Sequence, residues 1–342
     1  MLTEDGKELQ PLFDNGFTGL KNLGSSCYLA SILQCLFSIP TFQNRYYHPN
    51  DPLPISQAPA EDLETQFRKL IDGLLSGRYS HPDTDVITSE HCPGNPNQKG
   101  LAPAMLKHLI GRGHEEFSTM RQQDAFELLL HLLKLITRST HTASLQDPTQ
   151  SFRFVMEQRL QCMSCKKVRY QIDEQDNISI PVPIKRKAPV SRENSDGEKP
   201  KDEFEYVTLK ECLDTFTAIE VVELTCPSCS SKDGFMKRSL FKTFPSTFAV
   251  NARRFELVNW VPTKLDVPVV VDDRPFDLNA YKSPGLQDNE EPLPEDATTS
   301  GAPTFTPNEI ALSQLEGMGF RRVRSEKALH ATGNTDFETA MN

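Results

Sequence analysis

A chain of 342 residues, 37% hydrophobic and 25% charged, has room for one large domain plus a small one and for a sizeable core. Its net charge of -10 argues against a nucleic-acid binder, whose contact faces are basic, and no apolar run approaches membrane-spanning length. Met1-Leu2-Thr3-Glu4-Asp5-Gly6-Lys7 has neither a basic start nor an apolar core, so no signal peptide is expected. The eight cysteines are therefore placed in a reducing compartment, cytoplasmic or nuclear, where paired cysteines signal metal or catalysis more than disulfides.

The first organised stretch, Gly16 to Ser31, reads as a glycine-punctuated loop running into a helix. Leu29, Ile32, Leu33, Leu36 and Phe37 recur at helical spacing, and Pro40 is expected to end the run. Ser25 or Ser26 supplies an N-cap, which puts Cys27 in the first turn. There the unpaired N–H groups and the helix dipole favour a thiolate, the nucleophilic form of cysteine. Asn22, just upstream, is able to donate its amide to an oxyanion. The competing reading of Cys27 is a free core thiol at a helix start; Cys35, among apolar neighbours on the same helix, is read that way.

A Pro-rich connector, His48 to Pro59, precedes a helix with Leu63, Phe67, Leu70, Ile71 and Leu74 on one face, closed by Gly77. The loop from Ser80 to Gly100 holds His81, His91 and Cys92 at spacings that fit no compact metal site. Pro103 begins a short helix, and Arg121-Gln122-Gln123-Asp124 opens a longer one that buries Ala125, Leu128, Leu129, Leu132, Leu133 and Ile136. On pattern alone Gln122, Gln123 and Asp124 are a polar first turn.

Strand alternation follows at Phe152–Met156 and Val168–Ile172. Between them lies Cys162-Met163-Ser164-Cys165, and about sixty residues later Cys226-Pro227-Ser228-Cys229. Each pair has the tight-turn spacing that lets two thiolates share one tetrahedral zinc, and two such turns close a four-sulfur structural site. Coincidental pairs or a redox motif are the alternatives, although no thioredoxin-like βαβ pattern surrounds either pair. Lys185–Glu203 is charged and nearly free of large apolar residues, so a disordered insertion is expected. Thr208 and Glu211 form a capping box for a helix burying Leu209, Cys212, Leu213 and Phe216. Strands are expected at Leu240–Pro245 and Phe248–Phe255, and the only Trp, Trp260, follows. An acidic, Pro-rich linker then leads to Thr306-Pro307-Asn308-Glu309, a second capping box with Pro at the first helical position. Two further helices follow, one burying Ala328 and Leu329 and one starting near Thr335.

Asn22-Leu23-Gly24-Ser25-Ser26-Cys27-Tyr28-Leu29 closely resembles the Cys box of the ubiquitin-specific proteases. Gln122-Gln123-Asp124-Ala125, the two Cys pairs and the strand ending in Arg254-Phe255 resemble further family landmarks in the expected order. Asn259–Asp266 is most similar to the isopeptidase T branch, and Met318-Gly319-Phe320 with Gly333-Asn334 resembles a ubiquitin-associated (UBA) domain. The resemblance implies an α+β, papain-like fold with thumb, palm and zinc-bearing β fingers, followed by a three-helix UBA domain. It implies Cys27 as nucleophile, Asn22 as oxyanion donor, and Gln123, Asp124, Met318, Gly319 and Phe320 as ubiquitin contacts. It also implies cleavage after the C-terminal glycine of ubiquitin, with free polyubiquitin chains as substrate; a catalytically silent ubiquitin-binding module is the competing class.

The implied layout is a linker over 1–13, a catalytic domain over 14–282 with its insertion at 185–203, an acidic linker over 283–304, and a UBA domain cut short over 305–342. The family's base comes from a Gly-His-Tyr box, and none of His48, His81, His91, His108, His114, His131, His141 and His330 precedes a Tyr. The expectation is thus a fragment that carries the Cys half and is inactive alone.

Overall fold

A computed structural model describes residues 12–52, 56–82, 98, 100–187, 203–258, 260–294 and 308–317, together with 325, 328 and 329. The described residues fall into two compact units. One draws on 1–157, 172–218 and 239–284, the other on 158–171, 219–238 and 285–342.

The first unit opens with a helical cluster: α1 (Cys27–Ser38), α2 (Pro40–Tyr46), α3 (Leu63–Leu75), α4 (Ala104–Gly111) and α5 (Ala125–Thr137). Each turns one apolar stripe inward, so Leu29, Leu33, Phe67, Ile71, Leu106, Leu128 and Leu132 share a core closed to solvent. The run of α1 ends ahead of Pro40, as expected: its last residue is Ser38, and Ile39 is extended. The missing N–H and fixed φ of Pro40 then suit the first position of a second helix, α2. Cys35 is not core: the buried stripe of α1 is Tyr28, Leu29, Leu33, Leu36 and Phe37, which turns Cys35 to the exposed side. Asp62 caps α3 by accepting the Thr65 N–H at 3.0 Å.

A single 3₁₀ turn at Pro148–Phe152 takes up the residue with which the first strand was expected to begin, and β1 runs over Phe154–Cys162. The second core of this unit packs β3 (Ile178–Pro181), β4 (Val207–Thr208), α6 (Leu209–Phe216), β7 (Val250–Arg253) and β10 (Val269–Val270). β3 pairs in parallel with β7, from Ile178 opposite Val250 to Pro181 opposite Arg253, and β10 pairs in parallel with β4. The expected strand at 248–255 is thus split into β7 and β8 (Phe255–Val258); β8 forms an antiparallel ribbon with β9 (Val261–Lys264). Trp260, at its tip, has φ +66° and is 92% exposed. The capping box of α6 is complete: Thr208 N–H donates to Glu211 Oε2 at 2.8 Å and Glu211 N–H to Thr208 Oγ1 at 3.2 Å. Cys212 is core, as read from its spacing.

The ends of the charged insertion are ordered, contrary to expectation. Lys187 N–H donates to Glu203 O and Glu205 N–H to Lys185 O, both at 2.9 Å, an antiparallel bridge across the insertion; residues 188–202 lie outside the described set.

In the second unit, parts of β2 (Val168–Gln175), β1, β6 (Phe235–Phe241) and β5 (Glu220–Val222) lie in that order in one sheet. β6 replaces the strand expected at 240–245. The stretch read as the start of a linker does not behave as one up to residue 294. Val168 N–H donates to Glu291 O at 2.9 Å and Leu293 N–H to Val168 O at 2.7 Å. Glu290 accepts from Arg159 Nε at 2.8 Å and from Tyr170 Oη at 2.7 Å, and Leu293 is buried. Composition marked this stretch as loose, but two backbone bonds, an ion pair and one buried leucine suffice to hold it.

The last described helix, α7, covers Glu309–Gly317 and buries Ala311, Leu312 and Leu315 with Leu329. Its cap is Asn308, whose Oδ1 accepts the N–H groups of Ile310 (3.2 Å) and Ala311 (3.3 Å), so the helix starts two residues later than the expected Thr306 cap. Met318, Gly319, Phe320 and the expected third helix fall outside the described residues. Among the described residues no helix is long and apolar enough to cross a membrane.

Candidate active site

The loop before α1 is built around one carboxamide. Asn22 Oδ1 accepts from Gly24 N–H, Ser26 N–H and Ser26 Oγ, each at 3.1 Å. Two of these donors are backbone N–H groups, which only an oxygen accepts, so the orientation of the amide is settled and its NH₂ is the group left for another partner. The loop needs this anchor because Gly24 (φ +91°) and Ser25 (φ +51°) both sit in the left-handed region, which is costly for serine.

Ser26 occupies the N-cap position of α1 but its side chain does not cap the helix. Its hydroxyl instead accepts the Leu23 N–H at 2.8 Å and donates to Asn22. The first turn of α1 is therefore uncapped by any side chain, and Cys27, its first residue, is exposed. An exposed thiol at an uncapped helix N-terminus, five residues after a carboxamide with its donor end available, has the parts for nucleophilic attack on a carbonyl and for holding the resulting oxyanion.

A second loop supports this one. Phe117 is buried, stacks on Tyr28 with centroids 6.1 Å apart, and stacks on His114 at 4.2 Å; His114 in turn meets His131 edge-on at 4.6 Å. Gly111 is required beside it, since a Cβ there would run into the Phe117 carbonyl. Burial and the neighbouring Cys27 push the Tyr28 hydroxyl up, and burial pulls His131 down. Sequence reasoning missed this stack, because residues 28 and 117 share no local pattern.

Gln122, Gln123 and Asp124 are not the first turn of α5. Asp124 is its N-cap, with Oδ1 accepting from Phe126 N–H at 2.7 Å and Glu127 N–H at 3.1 Å. Gln123 Nε2 donates to Glu116 O and Thr119 Oγ1, both at 3.0 Å, folding the preceding loop back. Burial and the adjacent Glu116 carboxyl push Glu127 up.

Among the described residues no histidine hydrogen-bonds Cys27. His48, His81, His131 and His141 pair with the carbonyls of Arg45, Pro82, Ile110 and Ile136, and His114 Nδ1 accepts from Glu116 and Phe117 N–H. His108 is exposed in the last turn of α4, and His91 and His330 lie outside the described residues.

In the second unit the two Cys turns meet. The Sγ atoms of Cys162, Cys165, Cys226 and Cys229 all lie within 4.8 Å of one another, with Cys162–Cys229 and Cys165–Cys226 at 3.8 Å. A disulfide is far shorter, whereas a tetrahedron with metal–sulfur bonds of ~2.3 Å has sulfur–sulfur edges of about 3.8 Å. The two turns repeat one geometry. Cys162 N–H donates to Lys167 O and Lys166 N–H to Cys162 O; Cys226 N–H donates to Ser231 O and Ser230 N–H to Cys226 O. Lys166 and Ser230 both take a positive φ, +63° and +55°. Burial opposes ionisation of Cys162, but the N–H groups of Cys165 and Ser164 and the thiols of Cys226 and Cys165 lower it to about 6. The donor set fits a soft divalent metal, and all four positions are filled by protein, so such a metal would be structural. Leu293 and Phe235 close the apolar side of this cluster.

A ubiquitin carboxyl-terminal hydrolase family profile matches residues 18–295, and a UBA-like domain profile matches 308–342. Ubiquitin carboxyl-terminal hydrolase 14 of Schizosaccharomyces pombe is 38% identical over 342 residues, covering 99% of this chain and 42% of that protein. Human ubiquitin carboxyl-terminal hydrolase 5 is 34% identical over 387 residues, covering 100% of this chain and 44% of the relative. The chain thus spans well under half the length of these relatives. The solved structure of the SAGA Ubp8/Sgf11/Sus1/Sgf73 DUB module bound to ubiquitin aldehyde shares the fold, with TM-score 0.54 and 21% identity over 82% of this chain and 56% of that one.

Proposed function

We propose a cysteine-peptidase chemistry from one premise: the chain belongs to the ubiquitin carboxyl-terminal hydrolase family. The observation that carries the reading is Cys27, exposed at an uncapped helix N-terminus beside an Asn22 carboxamide whose oxygen is locked and whose NH₂ is left for a ligand. Cys27 Sγ attacks the carbonyl carbon of ubiquitin's C-terminal glycine and forms a carbon–sulfur bond. The carbonyl π electrons move to oxygen, and Asn22 Nδ2 donates to that oxyanion. Collapse of the intermediate breaks the carbon–nitrogen bond, and the lysine amine departs carrying the proton that the Cys27 thiol gave up on attack. Water then hydrolyses the thioester and returns the thiol. Gln123 and Asp124 border the cleft for ubiquitin's tail, and Met318-Gly319-Phe320 of the UBA-like module binds a second ubiquitin, which suits free polyubiquitin chains as substrate. The four-cysteine cluster holds zinc that maintains the β fingers.

The test is ubiquitin carrying a C-terminal thioester, whose thiolate leaves without needing a proton. Incubation should give ubiquitin covalently attached to Cys27, detected by mass, and Cys27→Ala should abolish it. An adduct that survives Cys27→Ala overturns the assignment. A second reading, a silent ubiquitin-binding module, is favoured by the lack of a hydrogen bond between Cys27 and any described histidine. Ubiquitin binding with no adduct selects it.

A further inference from the structure

We infer that Gln98 is a positioning residue for the oxyanion donor, holding the stem of the Asn22 loop in register with α1; this rests on the function proposed above. The stem, residues 12–21, lies outside any helix or strand, so its backbone polar groups depend on partners from elsewhere. One side chain supplies several. Gln98 Oε1 accepts the Gly19 N–H at 2.5 Å, while Nε2 donates to Leu12 O (3.2 Å), to Phe17 O and to Ser80 Oγ (3.0 Å). Ser80 Oγ extends the clamp by accepting the Asp14 N–H at 2.9 Å and donating to Phe17 O at 3.2 Å. Gly19 permits the approach, since a Cβ there would sit 3.3 Å from Gln98 Oε1.

The clamp reaches the site through the backbone. Leu101 N–H donates to Gly19 O at 2.9 Å, and Lys21 N–H donates to Leu101 O at 2.6 Å, one residue before Asn22. The stem is tied to α1 as well, because Gln34 Nε2 donates to Thr18 O at 3.0 Å. Asn22 is therefore placed relative to Cys27 by a stem held on one side by Gln98 and Leu101 and on the other by the helix that carries the nucleophile. Loss of Gln98 frees the Gly19 N–H and the Leu12 carbonyl and leaves the Phe17 carbonyl with the Ser80 hydroxyl alone. The carboxamide of Asn22 then drifts from the position an oxyanion requires, while the exposed thiol of Cys27 stays as accessible as before.

The experiment compares two reactions at Cys27 in the full chain. Acylation by a ubiquitin C-terminal thioester passes through an oxyanion; alkylation by iodoacetamide does not. Gln98→Met, which keeps the length and removes the bonds, should slow acylation about tenfold, within the range that misplacing a reacting group produces, and leave Cys27 alkylation unchanged. Gln98→Glu should not rescue acylation, because it restores the acceptor for Gly19 but none of the Nε2 donations. Ser80→Ala is the milder second perturbation and should move acylation the same way by less. Equal acylation by Gln98→Met and the unmodified chain overturns the inference, as does an equal fall in both reactions, which would mark loss of the fold or of the thiol. An unmodified chain that takes up no ubiquitin at Cys27 instead refutes the proposed function, and the inference with it.

Discussion

Replacing Asn22 with aspartate separates its two jobs, which alanine removes together. The carboxamide oxygen collects three donors and so holds Gly24 and Ser25 in left-handed conformations; its NH₂ is the candidate oxyanion donor. A carboxylate oxygen accepts from the same three groups, so Asn22→Asp should keep the loop and the thermal unfolding midpoint. It replaces the donor with a negative charge where the oxyanion develops, so acylation by the ubiquitin thioester should fall at least as far as for a deleted oxyanion-hole donor, about 10²–10³-fold, or roughly 2.7–4 kcal/mol. Asn22→Ala should lose the same catalysis and also the loop anchor. With three hydrogen bonds at about 1 kcal/mol net each, offset by relaxation of Ser25, that costs roughly 1–3 kcal/mol more in stability. Stopped-flow acylation beside thermal unfolding reads both quantities. Asn22→Asp acylating at the rate of the unmodified chain would refute the role of the amide.

Purified protein should contain about one zinc per chain, and Cys162→Ser or Cys226→Ser should remove it together with the hydrogen-exchange protection of residues 158–171 and 219–238. Metal analysis without zinc and four freely titrating thiols would contradict this. The Glu211 carboxyl is held at about 2, first by Lys185 and then by the N–H and hydroxyl of Thr208, against an ordinary value of 4.5. Its contribution to stability is thus complete above pH 4.5 and lost as pH falls through 2; a Glu211→Gln variant should flatten that part of an acid-unfolding curve. Gly111→Ala drives a methyl into the Phe117 carbonyl and should destabilise by about 1–3 kcal/mol in denaturant unfolding, whereas Gly113→Ala, with open space around it, should show only the strain of its φ of +72°.

What could be read from the chain alone was chemistry confined to a few consecutive residues. The Thr208–Glu211 capping box, the two Cys turns and the apolar stripes of α1, α3 and α5 all express interactions within one or two turns of backbone, so spacing is sufficient to predict them. Even locally, the cap positions slipped. Asp124 and Asn308 end up outside the helices they start, because an Asx side chain that accepts the N–H groups two and three residues on competes with the first turn itself. Only the tertiary structure decided the rest. The rotation of α1 that exposes Cys35, the stacking of Phe117 on Tyr28, and the hold of Gln98 on Gly19 join segments 79 or more residues apart or depend on which neighbour covers a face. Likewise Leu293, a lone apolar residue in a stretch that reads as linker, closes the four-cysteine cluster because β2 offers its backbone to Glu291 and Leu293. Such contacts leave no periodic mark in the sequence, since their free energy comes from surfaces that exist only once the chain has folded.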